Sequence, residues 1–177
     1  MTSSDETALS EGAVERVAAE VGTSLVGRPA GPVRLAVACA KFNGGITERL
    51  LQGVLDALGK CDVDAKGVTV AWVPGAFELP LAAQRLVGAG AQAVIALGAV
   101  IRGDTPHFDY VAGQCAAGLQ RVALDTGVPV VFGVLTTDTI AQALERCAPG
   151  ETNKGYEAAL TALEMADLLG SVPVDRR

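Results

Sequence analysis

One histidine stands in the 177 residues, His107, at the end of the stretch Val100-Ile101-Arg102-Gly103-Asp104-Thr105-Pro106-His107. A neutral imidazole can take up and release a proton near pH 7, so among small and polar residues it is a candidate proton relay. A structural histidine is the competing reading, and the local sequence leaves both open. Just before it, Gly103-Asp104-Thr105 could offer backbone N–H groups and a hydroxyl to a phosphate at a helix start, or serve only as a turn and cap. Arg102 and Arg146 could add positive charge, although a surface arginine is the ordinary alternative for each. Phe42, within Lys41-Phe42-Asn43, and Phe77, within Pro74-Gly75-Ala76-Phe77-Glu78, could stack on a flat ring or pack in a core.

Other chemistries are struck out. No serine occurs between Ser24 and Ser171, which removes a serine nucleophile from the body of the chain. One histidine and four scattered cysteines, Cys39, Cys61, Cys115 and Cys147, supply neither a CxxC pair nor zinc-type spacing. Gly88-Ala89-Gly90 falls at a helix end before a strand, the wrong side for dinucleotide binding, and there is no P-loop. A net charge of -6 and a pI near 4.8 argue against a broad nucleic-acid surface. No uncharged apolar run is long enough to span a bilayer, and no signal peptide is legible. Reduced, buried thiols then favour a cytoplasmic protein. What remains is acid–base or condensation chemistry on a small molecule, or ligand binding alone.

The elements that must position these residues alternate. Residues 1–6 form a polar tail expected to be disordered, residues 10–21 carry Val14, Val17, Ala18 and Val21 at helical spacing, and residues 27–32 read as a break. Residues 1–32 are therefore an N-terminal extension, and 33–177 a single domain. Strands are expected at 33–40, 68–73, 93–99 and 130–135. Helices between them carry Ile46, Leu50, Leu51, Val54, Leu55 and Leu58; then Phe77, Leu81 and Leu86, with Pro80 in the first turn; then, after a long loop, Val111, Cys115, Leu119 and Val122. Thr137 or Asp138 can cap a helix through Ile140, Ala143 and Leu144, and Asn153 starts a last one with Tyr156, Leu160, Leu163 and Leu168 inward. Half of the residues are hydrophobic but only 4% are aromatic, which suits buried strands of Ala, Val and Leu. The pattern is α/β, a four-stranded parallel sheet with helices on both faces. Ligands bind such sheets beyond the carboxyl ends of the strands, where His107, Phe42 and Phe77 fall.

Read together, the strand exits resemble the lumazine synthase family. The matching pieces are Lys41-Phe42-Asn43, the run from Trp72 to Pro80, the run from Gly98 to Val111, Phe132-Gly133-Val134-Leu135-Thr136-Thr137, Glu145-Arg146 and Asn153-Lys154-Gly155, in the family's order and near its spacing. The resemblance implies a three-layer α/β/α fold of flavodoxin-like type with strand order 2-1-3-4. It implies condensation of 5-amino-6-(D-ribitylamino)uracil with L-3,4-dihydroxy-2-butanone 4-phosphate to 6,7-dimethyl-8-ribityllumazine, the penultimate step of riboflavin biosynthesis, with no cofactor and no metal. Carried over residue by residue, Phe42 stacks on the pyrimidine and Ala76, Phe77 and Glu78 hold the ring and ribityl chain. Ala99, Val100 and Ile101 meet the pyrimidine edge through backbone groups. Gly103, Asp104, Thr105 and Arg146 hold the phosphate, and His107 moves the proton. Phe132, Lys154 and Arg146 match positions that the family supplies from a neighbouring subunit. The implied partners are the two substrates, further copies of the chain as a pentamer or a sixty-subunit shell, and riboflavin synthase; nucleic acid and membrane are not among them. The chain departs from the family pattern at Lys41, where arginine is usual, in its longer N-terminal segment, and at Pro149, in a connection linked to the choice of assembly. A lumazine- or flavin-binding protein without catalysis, or a purely structural shell protein, is the rival reading on the same scaffold.

Overall fold

Six consecutive residues, Leu35–Ala40, are buried on both sides and form the strand β1. An alternating pattern would leave one face wet; an unbroken apolar run demands cover on both. β1 pairs in parallel with β2 (Thr69–Val73) on one side and β3 (Ala93–Ile101) on the other, and β4 (Val130–Thr137) pairs with β3. The order β2-β1-β3-β4 is the 2-1-3-4 topology that the resemblance implies. The structure, a computed structural model, describes residues 9–10 and 12–173, so the tail expected to be disordered at residues 1–6 lies outside the described residues.

The strands' two faces build two cores. Leu35, Val37, Cys39, Ile95 and Leu97 face α2 (Gly44–Lys60) and α6 (Lys154–Ser171). Ala36, Ala38, Ala40, Val94 and Ala96 face α3 (Leu79–Gly88) and α4 (His107–Thr126). α5 (Ile140–Arg146) adds Ala143 to the first core. In α2 the expected stripe is correct: Ile46, Leu50, Val54 and Leu58 are buried, with Leu51 and Leu55 at its margin. Where α2 crosses α6, a Cβ on Gly155 would lie 1.9 Å from the backbone oxygen of Leu50, so the helices touch backbone to side-chain-free backbone. Asn153 caps α6 by accepting from the Gly155 and Tyr156 N–H groups, and its amide donates to the carbonyls of Arg49 and Cys147.

Several expectations need correction. Phe77 and Leu81 do not face inward: both are exposed, Phe77 lies in a short 3-10 turn ahead of α3, and Leu79 and Ala83 carry that helix's burial instead. Pro80 does sit in the first helical turn, where its missing N–H costs no bond. The loop before α4 is short, residues 102–106, because β3 runs two residues past Ala99 and α4 starts at His107 itself. Neither Thr137 nor Asp138 caps α5; the cap is Thr139, whose hydroxyl accepts from Gln142 N–H, with the Gln142 side chain reaching back.

Ahead of β1 lies α1 (Ala13–Glu20), with no buried residue. Beyond it the chain runs against α6: Gly27 is buried with room for no Cβ beside Glu164, and Arg28 N–H donates to Asp167 Oδ2 at 2.9 Å. Cys39, Cys115 and Cys147 are buried, Cys61 is half-buried, and all four are free thiols. Among the described residues, no helix is long and apolar enough to cross a membrane.

Candidate active site

A cleft of about 680 Å³ opens beyond the carboxyl ends of β1, β2 and β3. Phe42, Ala76, Phe77 and Glu78 form one part of its wall; Ala99, Val100, Ile101, Gly103, Thr105 and His107 form the other. Asp104 lies between two of these in the chain without lining the cleft itself.

Backbone bonds bring the first wall together. Lys41 N–H donates to the Val73 carbonyl at 2.8 Å and Phe42 N–H to the Pro74 carbonyl at 3.1 Å, so the exit of β1 is tied to the exit of β2. Asn43 adopts a left-handed conformation (φ 57°), rare for a residue with a side chain, and its amide donates 2.8 Å to the Ala99 carbonyl rather than capping α2. Strain at one residue thus joins the β1 and β3 exits. The rings it positions are bare: Phe42 is 70% exposed and Phe77 58%, in a chain with few aromatics. Two apolar rings held open to solvent at a strand exit lose the burial their size would give them, which is expected where a ligand completes the packing. Glu78 also has a local task, since its carboxylate accepts from Gly75 N–H at 2.9 Å and closes the turn before α3.

The second wall ends at the N-terminus of α4. This helix is 20 residues long with Pro106 at the cap, and its first turn, beginning at the cleft-lining His107, leaves backbone N–H groups without a partner inside the helix. His107 is the first helical residue and is exposed there. Arg102, considered above as a source of positive charge, is already paired: its Nε donates to Asp138 Oδ1 at 2.9 Å, and its terminal nitrogen to Asp109 Oδ1 at 3.2 Å. Those bonds, the Asp138 one foremost, push its proton affinity further up.

Phe132, Arg146 and Lys154 do not join this cleft. They line a second groove of about 450 Å³ along the edge strand β4, between α5 and α6. Arg146 ends α5, one guanidinium nitrogen donating to the Gln142 carbonyl at 3.0 Å, and Lys154 opens α6 with both Glu157 oxygens at 2.7 Å. The expected site is therefore in two pieces within one chain. Sequence reading missed Phe108, Tyr110 and Val111, which line the cleft from the first turns of α4. For Tyr110 and Val111 the signal was present: once a helix starts at His107, the residues three and four positions on share its face, whereas Phe108, one position on, is outside that rule.

A family profile described as 6,7-dimethyl-8-ribityllumazine synthase matches residues 32–170. A curated 6,7-dimethyl-8-ribityllumazine synthase of Pectobacterium atrosepticum is 54% identical over 144 residues, which cover 78% of this chain and 91% of that protein. The match spans the whole sheet, both grooves and every residue considered for the site, and the chain belongs to the 6,7-dimethyl-8-ribityllumazine synthase family.

Proposed function

We propose that this chain condenses 5-amino-6-(D-ribitylamino)uracil with L-3,4-dihydroxy-2-butanone 4-phosphate to 6,7-dimethyl-8-ribityllumazine, in a site completed by a second copy of itself. The observation that carries the reading is a cleft at the sheet's carboxyl edge in which two exposed phenylalanines and the single histidine meet, in a chain of the lumazine synthase family. Phe42 stacks on the pyrimidine, and Ala76, Phe77 and Glu78 embrace the ring and ribityl chain. Backbone groups of Ala99, Val100 and Ile101 read the pyrimidine edge. Gly103, Asp104 and Thr105, ahead of the α4 N-terminus, hold the phosphate with Arg146, because a helix start and a guanidinium both favour an anion. Arg146, Phe132 and Lys154 come from the adjacent subunit, which accounts for their lying outside the cleft of their own chain.

The chemistry needs proximity and proton movement. The 5-amino group attacks the ketone and loses water to form an imine, phosphate leaves, and the ribityl-bearing amine closes on the resulting carbonyl with loss of a second water. His107 takes the proton released before phosphate departs and returns one as water leaves. The cleft holds the two reactants at bonding distance, turning an encounter of two solutes into a step within one complex. The enzyme works in the cytoplasm as a ring or shell of identical subunits, residues 33–177 forming the catalytic domain and riboflavin synthase being the partner that consumes the product.

The test is direct. Purified protein mixed with both substrates should produce lumazine absorbance and one phosphate per lumazine at a rate well above the mixture without protein. Folded protein that leaves the background rate unchanged overturns the proposal.

A further inference from the structure

The loop that carries the phosphate-binding residues has few restraints of its own. Residues 102–106 join β3 to α4 on the surface, and all five are exposed. Arg102 ties that connection together. Its backbone N–H donates to the Thr137 carbonyl at 2.9 Å, which continues the sheet past the end of β3. Its guanidinium makes bonds to two elements: Nε to Asp138, just beyond β4, and a terminal nitrogen to Asp109, in the first turn of α4. The guanidinium carbon lies 4.1 Å from the centre of the Phe108 ring, and Phe108 lines the cleft. One side chain thus spans β3, β4 and the first turn of α4 around His107. Arg102 also lines a surface depression together with Phe108, which borders the cleft, and Phe132 and Arg146, which border the second groove.

We propose that Arg102 is a positioning residue for the condensation, a clamp that fixes the start of α4, and with it His107 and the loop of residues 103–106, relative to the strand ends. The inference rests on the function proposed above. Its physical basis is the shape of the side chain: only a planar fork can bond two carboxylates in different directions while its face rests on a ring, and lysine offers a single point charge. Its pairs are half-exposed, and such pairs add little to global stability. Their effect is therefore local, on the geometry of the turn. Misplacement by about 1 Å can cost about a hundred-fold in rate. Arg102 offsets one unit of the charge on Asp109 and Asp138, which lessens the repulsion an arriving phosphate meets.

Two measurements test the clamp. The first is amide hydrogen exchange of residues 109–112, the first hydrogen-bonded amides of α4, in the oligomeric protein, which requires no activity. Arg102→Ala should raise exchange there at least about ten-fold, with the core strands and the melting temperature unchanged, and Arg102→Lys should restore it only in part. The second is steady-state kinetics. Arg102→Ala should raise KM for the butanone phosphate and lower kcat about ten- to a hundred-fold, with KM for the pyrimidine within about three-fold. Asp138→Asn should lose less, and the double variant should be non-additive because both changes break one contact. Unchanged exchange at residues 109–112 overturns the clamp. So do unaltered kinetics in a variant of an active parent, and so does an even loss for both substrates with a lowered melting temperature, which marks a purely structural arginine. An inactive parent overturns the proposed function instead, and the exchange result still decides whether the clamp exists.

Discussion

At the scale of single residues, the site divides by role. His107 stands exposed at the first position of α4 and lines the cleft beside Thr105 and Val111. If it carries the proton, His107→Ala should lower kcat about ten- to a thousand-fold, at or below the usual range for a general base, ~10²–10⁴. Both substrates should still bind. Single-turnover rates together with substrate titration check this, and turnover equal to the parent's removes His107 from the mechanism. Arg146 differs in kind, being a charge on another groove. Arg146→Ala should weaken the phosphorylated substrate selectively, because a charge-assisted bond to phosphate is stronger than a neutral one. Inorganic phosphate should compete with that substrate in the parent enzyme. An equal loss for both substrates would assign Arg146 to assembly. Asn153 and Gly155 show why a motif is not a list of ligands. Of Asn153-Lys154-Gly155, only Lys154 borders a groove, while Asn153 caps a helix and Gly155 admits a neighbouring backbone.

Elements explain how the strand exits stay in register. α2 and α6 meet where Gly155 touches the backbone of Leu50, a contact that no rotamer change can relieve. Gly155→Ala should therefore destabilise the fold by about 1–3 kcal/mol or more, the range for overpacking a tight core. Denaturant unfolding reads this, and a variant as stable as the parent would mean the helices separate freely. The two cores impose a pH dependence as well. Burial pushes the thiols of Cys39 and Cys115 up from 9.0 to about 11, partly offset at Cys39 by its contact with Thr47. The folded state then holds protons that the unfolded chain gives up, so this stabilisation is complete below about pH 9 and is lost as pH rises through about 11. Each thiol accounts for a slope of at most about 1.4 kcal/mol per pH unit in that window. Stability measured from pH 8 to 10.5 should fall less steeply in a Cys39→Ala, Cys115→Ala double variant; equal slopes would discount the thiols.

For the whole molecule, the separation of the two grooves is the consequential feature. Arg146, Phe132 and Lys154 serve the cleft only if a neighbouring copy presents them, in a head-to-tail contact that closes into a ring. Co-expressing His107→Ala with Arg146→Ala chains tests this. Each purified single variant has every site damaged. A mixed ring holds sites pairing an intact His107 with an intact Arg146, about one quarter of the total for random mixing in equal amounts, since each site draws on two chains. Activity approaching that quarter supports the shared site. Mixed oligomers no more active than the mean of the two variants would place both residues on one subunit's site.

The sequence by itself determined the α/β class, the helix faces of α2, α4 and α6, and the strand exits as the place for chemistry. Each of these is written in local order: an apolar run is a buried strand wherever it lies, and a periodic stripe is a helix with an inner face. The family resemblance, carried by runs such as Gly98 to Val111, supplied the topology and the roles. Tertiary structure decided what depends on partners distant in the chain. Phe77 reads as part of a helix face, yet it is exposed in the cleft because the turn closed by Glu78 and Gly75 swings it out. Arg102 reads as a spare charge, yet carboxylates 7 and 36 residues away consume it. The distance between Arg146 and His107 within one chain is likewise set by packing, which puts them in separate grooves. Periodicity records which side of an element is apolar; it does not record what the polar side will meet, because that partner is chosen only when the layers pack.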